Sequence, residues 1–348
     1  MIILLFFFIP ILPDPISAGP IGSTTLCTPE PGTFWHGAFA PERYHRSEMD
    51  VTNASIATFN RASGNNVNIA AFSHEWGINR SFPTDQFTVI HDTGAVPWIR
   101  LMLRSDIGQY RPEPIFTLNR IRDGVFDDEL RSWARHARDL GYPVIIEYGT
   151  EVNGKWFSWN GYWTGENGAD IFRETYQHII RIMKDEGAHN LIWVYHVNWN
   201  NNPDEPWNTY AAYYPGDEYI DMLAVSAYGA LSPDATGVLP FADMIDIAYG
   251  ELSDLNPEKP IIIAETGTDL KSRTTPADNW VEQALRNLTS EKWPRIIGFV
   301  WWNANWPNDN NPAHNTTMRI EEDNKIGMLF QKTIGGDDRF IRKLRDNC

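Results

Sequence analysis

Short apolar runs of six to nine residues recur along the chain, rich in β-branched and aromatic side chains. They fall at 34–39, 66–74, 96–103, 143–150, 190–197, 221–228, 259–266 and 296–302. Runs of this length with near-continuous apolar character predict strands buried on both faces, as in a parallel sheet. Between them lie segments with helical spacing of apolar positions, clearest at 127–140 and 169–186. Both open near an aspartate and stop at Gly141 or Gly187, a residue that readily takes the left-handed conformation after a helix. Eight strand–helix repeats over residues 34–340 predict a closed (β/α)8 TIM barrel in a single domain. An open doubly wound sheet would call for a glycine-rich phosphate turn after an early strand, and the sequence has none. No Pro/Gly/Ser-rich or charged linker marks off a second module.

The first residues break this rhythm. Residues 2–12 are apolar throughout, too short to span a membrane, and small residues follow at Ser17, Ala18 and Gly19. The expectation is an export signal over 1–18 and the (β/α)8 domain over 19–348, secreted to the extracellular space. The stretch lacks the usual Lys or Arg, so a buried N-terminal strand is the competing reading. Cys27 and Cys348 are the two cysteines, and their end-to-end placement in an exported chain predicts one disulfide between them. Asn53, Asn79, Asn287 and Asn315 stand in glycosylation triplets.

Of the 348 residues, 42% are apolar and 21% charged, enough to build a large core. The net charge of −16 makes nucleic acid and anionic membranes poor partners and leaves neutral polymers open. The 15 tryptophans exceed what such a core needs, and a surplus of this kind lines ligand grooves. A monomer with a neutral polymer as its partner is expected.

Active sites of such barrels sit at the C-terminal strand ends. There the chain supplies His74, Glu75 and Trp76, then Arg104 and Asp106, then Glu151, Asn153 and Trp156. His196, Asn198 and Trp199, Tyr228, Glu265, and finally Trp301, Trp302 and Asn303 complete the inventory. Aromatic rings stack on sugar faces while amides and acids bind hydroxyls, so this composition predicts a carbohydrate site. Strand alternation places Ile145, Glu147, Gly149 and Glu151 on the inner face of strand four, and Ile261, Ile263 and Glu265 on the inner face of strand seven. Glu151 and Glu265 thereby converge on the barrel mouth, as the two carboxylates of a retaining glycoside hydrolase would. Glu147, buried by the same alternation, needs a cationic partner from strand three, Arg100 first and Arg104 second. His74 and His196 could ligate a metal, but no surrounding cluster supports it, so hydrogen-bonded site or core histidines are expected. Trp133 and Trp193 read as packing residues. Residues 198–202 and 308–311 read as solvated loops, and no metal or organic cofactor is implied.

The string YGTEVNGKWFSW at 148–159 resembles the FGHEMNGxWYPW motif of glycoside hydrolase family 26, the β-mannanase family. KPIIIAETGT at 259–268 resembles its strand-seven nucleophile segment, and VSAYG at 225–229 its strand-six tyrosine segment. The resemblance implies Glu151 as acid/base, Glu265 as nucleophile, and Tyr228 as the tyrosine beside it. Trp156 would be the aromatic beyond the acid/base, and one of Trp301 and Trp302 the strand-eight platform. Two positions depart from the pattern: Thr150 stands where the family has His, and Glu147 where it has Arg. These touch sugar subsites and open alternatives to mannan: mixed-linkage β-glucan, β-1,3-glucan or β-1,3-xylan. A non-catalytic, lectin-like barrel is the non-enzyme alternative.

Overall fold

The computed structural model describes residues 26–42 and 48–344. The expected export signal and Cys348 lie outside the described residues; Cys27 lies within them and is buried. Eight parallel strands close into one barrel in sequence order. They are β1 (Trp35–Phe39), β2 (Ile69–Glu75), β3 (Val96–Met102), β4 (Val144–Tyr148), β5 (Leu191–Asn198), β6 (Met222–Tyr228), β7 (Ile261–Gly267) and β8 (Ile296–Trp302). Each matches one of the apolar runs. β1 pairs with both β2 and β8, which closes the cylinder.

The covering helices follow their apolar stripes. Asp127–Asp139 starts with Asp127, Asp128 and Glu129 against the positive helix end and buries Leu130, Trp133, Ala134 and Ala137. Gly168–Asp185 buries Phe172, Tyr176, Ile179, Ile180 and Met183. Gly141 and Gly187, at φ 70° and 81°, follow these helices in the left-handed region. No helix among the described residues is long and apolar enough to cross a membrane.

Register sets the interior. Ser73, Arg100 and Glu147 stand side by side across β2, β3 and β4. Asn198, Ser226 and Glu265 do so across β5, β6 and β7. Residues in register on parallel neighbours share a face, so these six point into the barrel. The alternation expected along β7 fails here. Ile261 and Ile263 pair with Leu223 and Val225, whereas Glu265 pairs with Ser226, because the register shifts at Ala264. The two isoleucines therefore share the outer face with Leu223 and Val225, and the bulge alone turns Glu265 inward.

Candidate active site

Glu265 sits at the mouth end of β7 with little exposure. Its Oε2 accepts a hydrogen bond from the Tyr228 hydroxyl at 2.8 Å, and its Oε1 lies 3.3 Å from Arg100 Nε. Burial, reinforced by the charges of Glu151 and Glu147, pushes this carboxyl up to about 7 against the pull of Arg100 and His196. Tyr228 is held neutral by burial and by the same carboxylates, so it acts as a donor.

Glu151 reaches the same mouth by a different route. β4 ends at Tyr148, Gly149 turns to φ 74°, and Glu151 itself adopts φ 48°. A non-glycine residue there costs about 1–2 kcal/mol, and such strain concentrates at functional positions. The turn is pinned by Gly154 N–H donating to the Glu151 carbonyl at 2.8 Å and by Trp159 Nε1 donating to the Thr150 carbonyl at 2.8 Å. Half-buried Trp156 donates its indole N–H to Glu151 Oε2 at 2.7 Å. Gly154 leaves room for the Trp156 indole in this turn, because a β-carbon there would run into the ring and displace it.

Arg100 is the hub. Its Nη1 donates to Glu48 Oε2 at 2.7 Å and to Ser73 Oγ at 3.2 Å, and its Nε to Thr150 Oγ1 at 3.3 Å. The guanidinium lies 5.0 Å from the Trp302 ring centroid, and Trp302 stacks on Phe39 at 3.9 Å. The expected Arg100–Glu147 pair is present at 3.7 Å, but the closer partner of Glu147 is His196 Nδ1 at 2.5 Å. His196 Nε2 lies 2.7 Å from Ser226 Oγ. The two departures from the motif are thus coupled: β3 contributes the central guanidinium, and both Glu147 and Thr150 contact it. A second buried pair joins Arg104 to Glu75 bidentately at 2.8 and 2.5 Å. Burial pushes the Glu75 carboxyl up against the pull of Arg104.

Several other expected site residues are placed elsewhere. His74 faces outward, accepting from Trp133 Nε1 at 3.3 Å, and burial lowers its pKa to about 4. Trp76 is buried against Phe116 in an edge-on contact. Trp301 points out of the barrel, packed on Phe330 and bonded to the Met318 carbonyl at 2.8 Å, so Trp302 is the strand-eight ring at the mouth. Odd and even residues of a strand face opposite ways, so Trp301 is lost to the outer core while Trp302 reaches the mouth, and His74 faces outward between Ser73 and Glu75. Asn153 is fully buried as a loop staple, donating to the Asn198 and Asn200 carbonyls and accepting from Asn198 N–H. Asn198 faces inward at the end of β5, with its amide nitrogen donating to Asn200.

Phe39, Glu48, Ser73 and Ser226 were missed. Alternation along β1, β2 and β6 could have found three of them; Glu48 comes from a loop with no periodic signal. Glu147, His196 and Glu265 bring potential metal-ligand atoms within 4.8 Å of one another. His196 Nδ1 is already engaged by Glu147, and Arg100 contacts both carboxylates, so a guanidinium and an imidazole already occupy the positions around this donor set, which does not fit a metal cation.

Residues 119–308, more than half of the chain, match the family described as Glycosyl hydrolase family 26. Endoglucanase H of Acetivibrio thermocellus is 24% identical over 288 residues, covering 82% of this chain and 29% of that protein. A mannan endo-1,4-beta-mannosidase of Bacillus subtilis is 29% identical over 196 residues, covering 54% of this chain and 44% of its own length. The chain thus spans less than half the length of either relative. Among solved structures, a Bacillus subtilis mannanase superposes with a TM-score of 0.56 at 20% identity, over 79% of this chain and 81% of its own. A family 26 protein from Muricauda sp. superposes with a TM-score of 0.63 at 15% identity, over 89% and 87% respectively.

Proposed function

This chain belongs to glycosyl hydrolase family 26, and from that premise we propose that it is a secreted, retaining endo-β-glycosidase. Its substrate would be a neutral β-linked polysaccharide, with a β-1,4-mannan backbone first. The observation that carries the reading is the pairing of Glu151 with Glu265 at the barrel mouth. The two are close enough that the charge of one raises the proton affinity of the other. In this reading Glu265 attacks the anomeric carbon and the glycosidic C–O bond breaks, while Glu151 passes its proton to the leaving oxygen. Water then attacks the glycosyl ester, Glu151 takes its proton, and the Glu265 carboxylate is released. Tyr228 and Arg100 hold Glu265 in place, and Trp302 offers a ring at the mouth for the sugar. Trp156 orients Glu151. Asn198 borders the same opening.

A glucan backbone is the second reading. It is favoured by the longer stretch of chain matched by an endoglucanase than by the mannosidase, and by the two motif departures around Arg100. A reducing-sugar assay on mannan, carboxymethyl cellulose, lichenan, laminarin and xylans decides between them. Release from mannan alone supports the first, release from glucans the second, and binding without cleavage the lectin-like alternative.

Export, the Cys27–Cys348 disulfide and a monomeric state belong to the same proposal. Burial of Cys27 supports the disulfide, and intact mass with thiol counting of the secreted protein tests it. Of the acceptor asparagines, Asn53 and Asn79 are exposed, whereas Asn287 and Asn315 are half-buried, so the first two are the better glycosylation sites.

A further inference from the structure

The interior beneath the paired carboxylates is acidic beyond what its arginine can balance. Glu147 and Glu265 both contact Arg100 and are among the most buried acids of the barrel, and Glu151 lies near enough to Glu265 for its charge to act there. Glu75 is matched separately by Arg104. Among the described residues, Glu147, Glu151 and Glu265 against one guanidinium in a dry interior are costly, and the cost is relieved by protonating a carboxylate or by charging another base. Among the described residues, His196 is the other base in contact with this set. Its ring is fully enclosed, with Nδ1 on Glu147 Oε2 at 2.5 Å and Nε2 on Ser226 Oγ at 2.7 Å. Both nitrogens therefore face oxygens, an arrangement that two N–H donors satisfy.

We propose that His196 is a resident imidazolium and a positioning residue, which neutralises Glu147 so that the Arg100 guanidinium remains committed to Glu265. The inference rests on Glu265 being the nucleophile of the proposed reaction. That nucleophile must be ionised to attack, yet burial and two neighbouring carboxylates oppose its charge. With His196 neutral, the uncompensated Glu147 carboxylate would compete for Arg100, which lies 3.7 Å away, and would raise Glu265 further. Burial opposes the charge on His196 as well, but Glu147, Glu265 and Glu151 outweigh it and hold its proton affinity above the ordinary histidine value. The same pairing keeps Glu147 ionised despite its burial, with Arg100 and Thr150 assisting. The charged and titratable groups facing Glu265 are Arg100 on β3, Glu147 and Glu151 on β4 and its loop, His196 on β5 and Tyr228 on β6. Glu48 reaches it through Arg100.

Two measurements test this. Neutron diffraction from wild-type crystals at pH 7 should show a deuteron on both Nδ1 and Nε2 of His196; a single deuteron overturns the proposal. This readout needs no activity, so it stands even if the protein cleaves no glycoside. In the second, the acid limb of kcat/KM is followed on a glycoside that the wild type hydrolyses. His196→Gln keeps a polar group of similar reach but removes the charge, and should move the limb to higher pH by about one unit or more. A purely structural histidine would lower stability and kcat while leaving the limb where it was, and that outcome also overturns the proposal. If His196→Gln does not fold, the neutron map decides.

Discussion

The indole N–H of Trp156 donates to Glu151 Oε2 at 2.7 Å, five residues away and within one tight loop. The contact fixes the rotamer of a carboxylate whose backbone is already held at φ 48°. Trp156→Phe keeps the ring and removes only the donor. It should lower kcat/KM on a cleaved glycan by about tenfold, with a change in Tm of no more than a few degrees. Gly154→Ala should do the same from the other side, since its β-carbon would displace the indole. Wild-type kinetics in both variants would mean that Trp156 only packs.

The raised pKa of Glu265 also has a signature in stability. Its folded-state value of about 7 exceeds the ordinary 4.5, so folding favours its protonated form. Its favourable contribution is complete below the ordinary value and is lost as pH rises through about 7. Glu265→Gln cannot titrate. The Tm of this variant minus that of wild type should therefore grow between pH 5 and pH 8, by an amount on the order of a few degrees. Differential scanning calorimetry at the two pH values measures it. A gap that stays constant would show that Glu265 does not titrate abnormally.

The Glu75–Arg104 pair gives a prediction that is independent of catalysis. Both side chains are almost fully buried, and Arg104 also lies 5.7 Å from the Phe157 ring centroid. Arg104→Met would strand a buried carboxylate and should cost about 3–5 kcal/mol in denaturant unfolding near neutral pH. Adding Glu75→Gln should recover most of that loss. A double variant as unstable as the single one would place the loss in packing around Phe157 and not in charge.

All eight strands were legible because a parallel barrel buries both faces of each strand, which leaves unbroken apolar runs between helical stretches. The same burial made inward and outward residues hard to separate. Trp301 and Trp302 are equally apolar, and only the pairing of β8 with β1 shows that Trp302 meets Phe39. Glu265 was found by an alternation that its own strand does not obey, since the register shift at Ala264 turns it inward. Arg100 was legible as the partner of Glu147 because a buried acid demands a cation. Its reach to Glu48 and Glu265 was not, because that depends on a loop and on a strand far away in sequence.

The two glutamates have separable roles if the mechanism is retaining. Glu265 forms the covalent intermediate, so Glu265→Ala should abolish nearly all turnover. Glu151 first donates a proton and later activates water, so its loss slows breakdown of the intermediate most. Glu151→Ala should then keep a measurable first step on an aryl glycoside with a good leaving group, while losing on the order of 10²-fold or more in turnover on a polysaccharide. Azide can enter either vacated space. With Glu151→Ala it should attack the glycosyl–Glu265 ester from the face opened by the missing side chain, and the product should keep the substrate's anomeric configuration. With Glu265→Ala it should take the place of the missing nucleophile directly, and the product should be inverted. Proton NMR of the glycosyl azide distinguishes the two. Opposite anomers from the two variants fix the assignment, reversed anomers exchange the roles, and wild-type rates in both variants would place the chemistry elsewhere in the barrel.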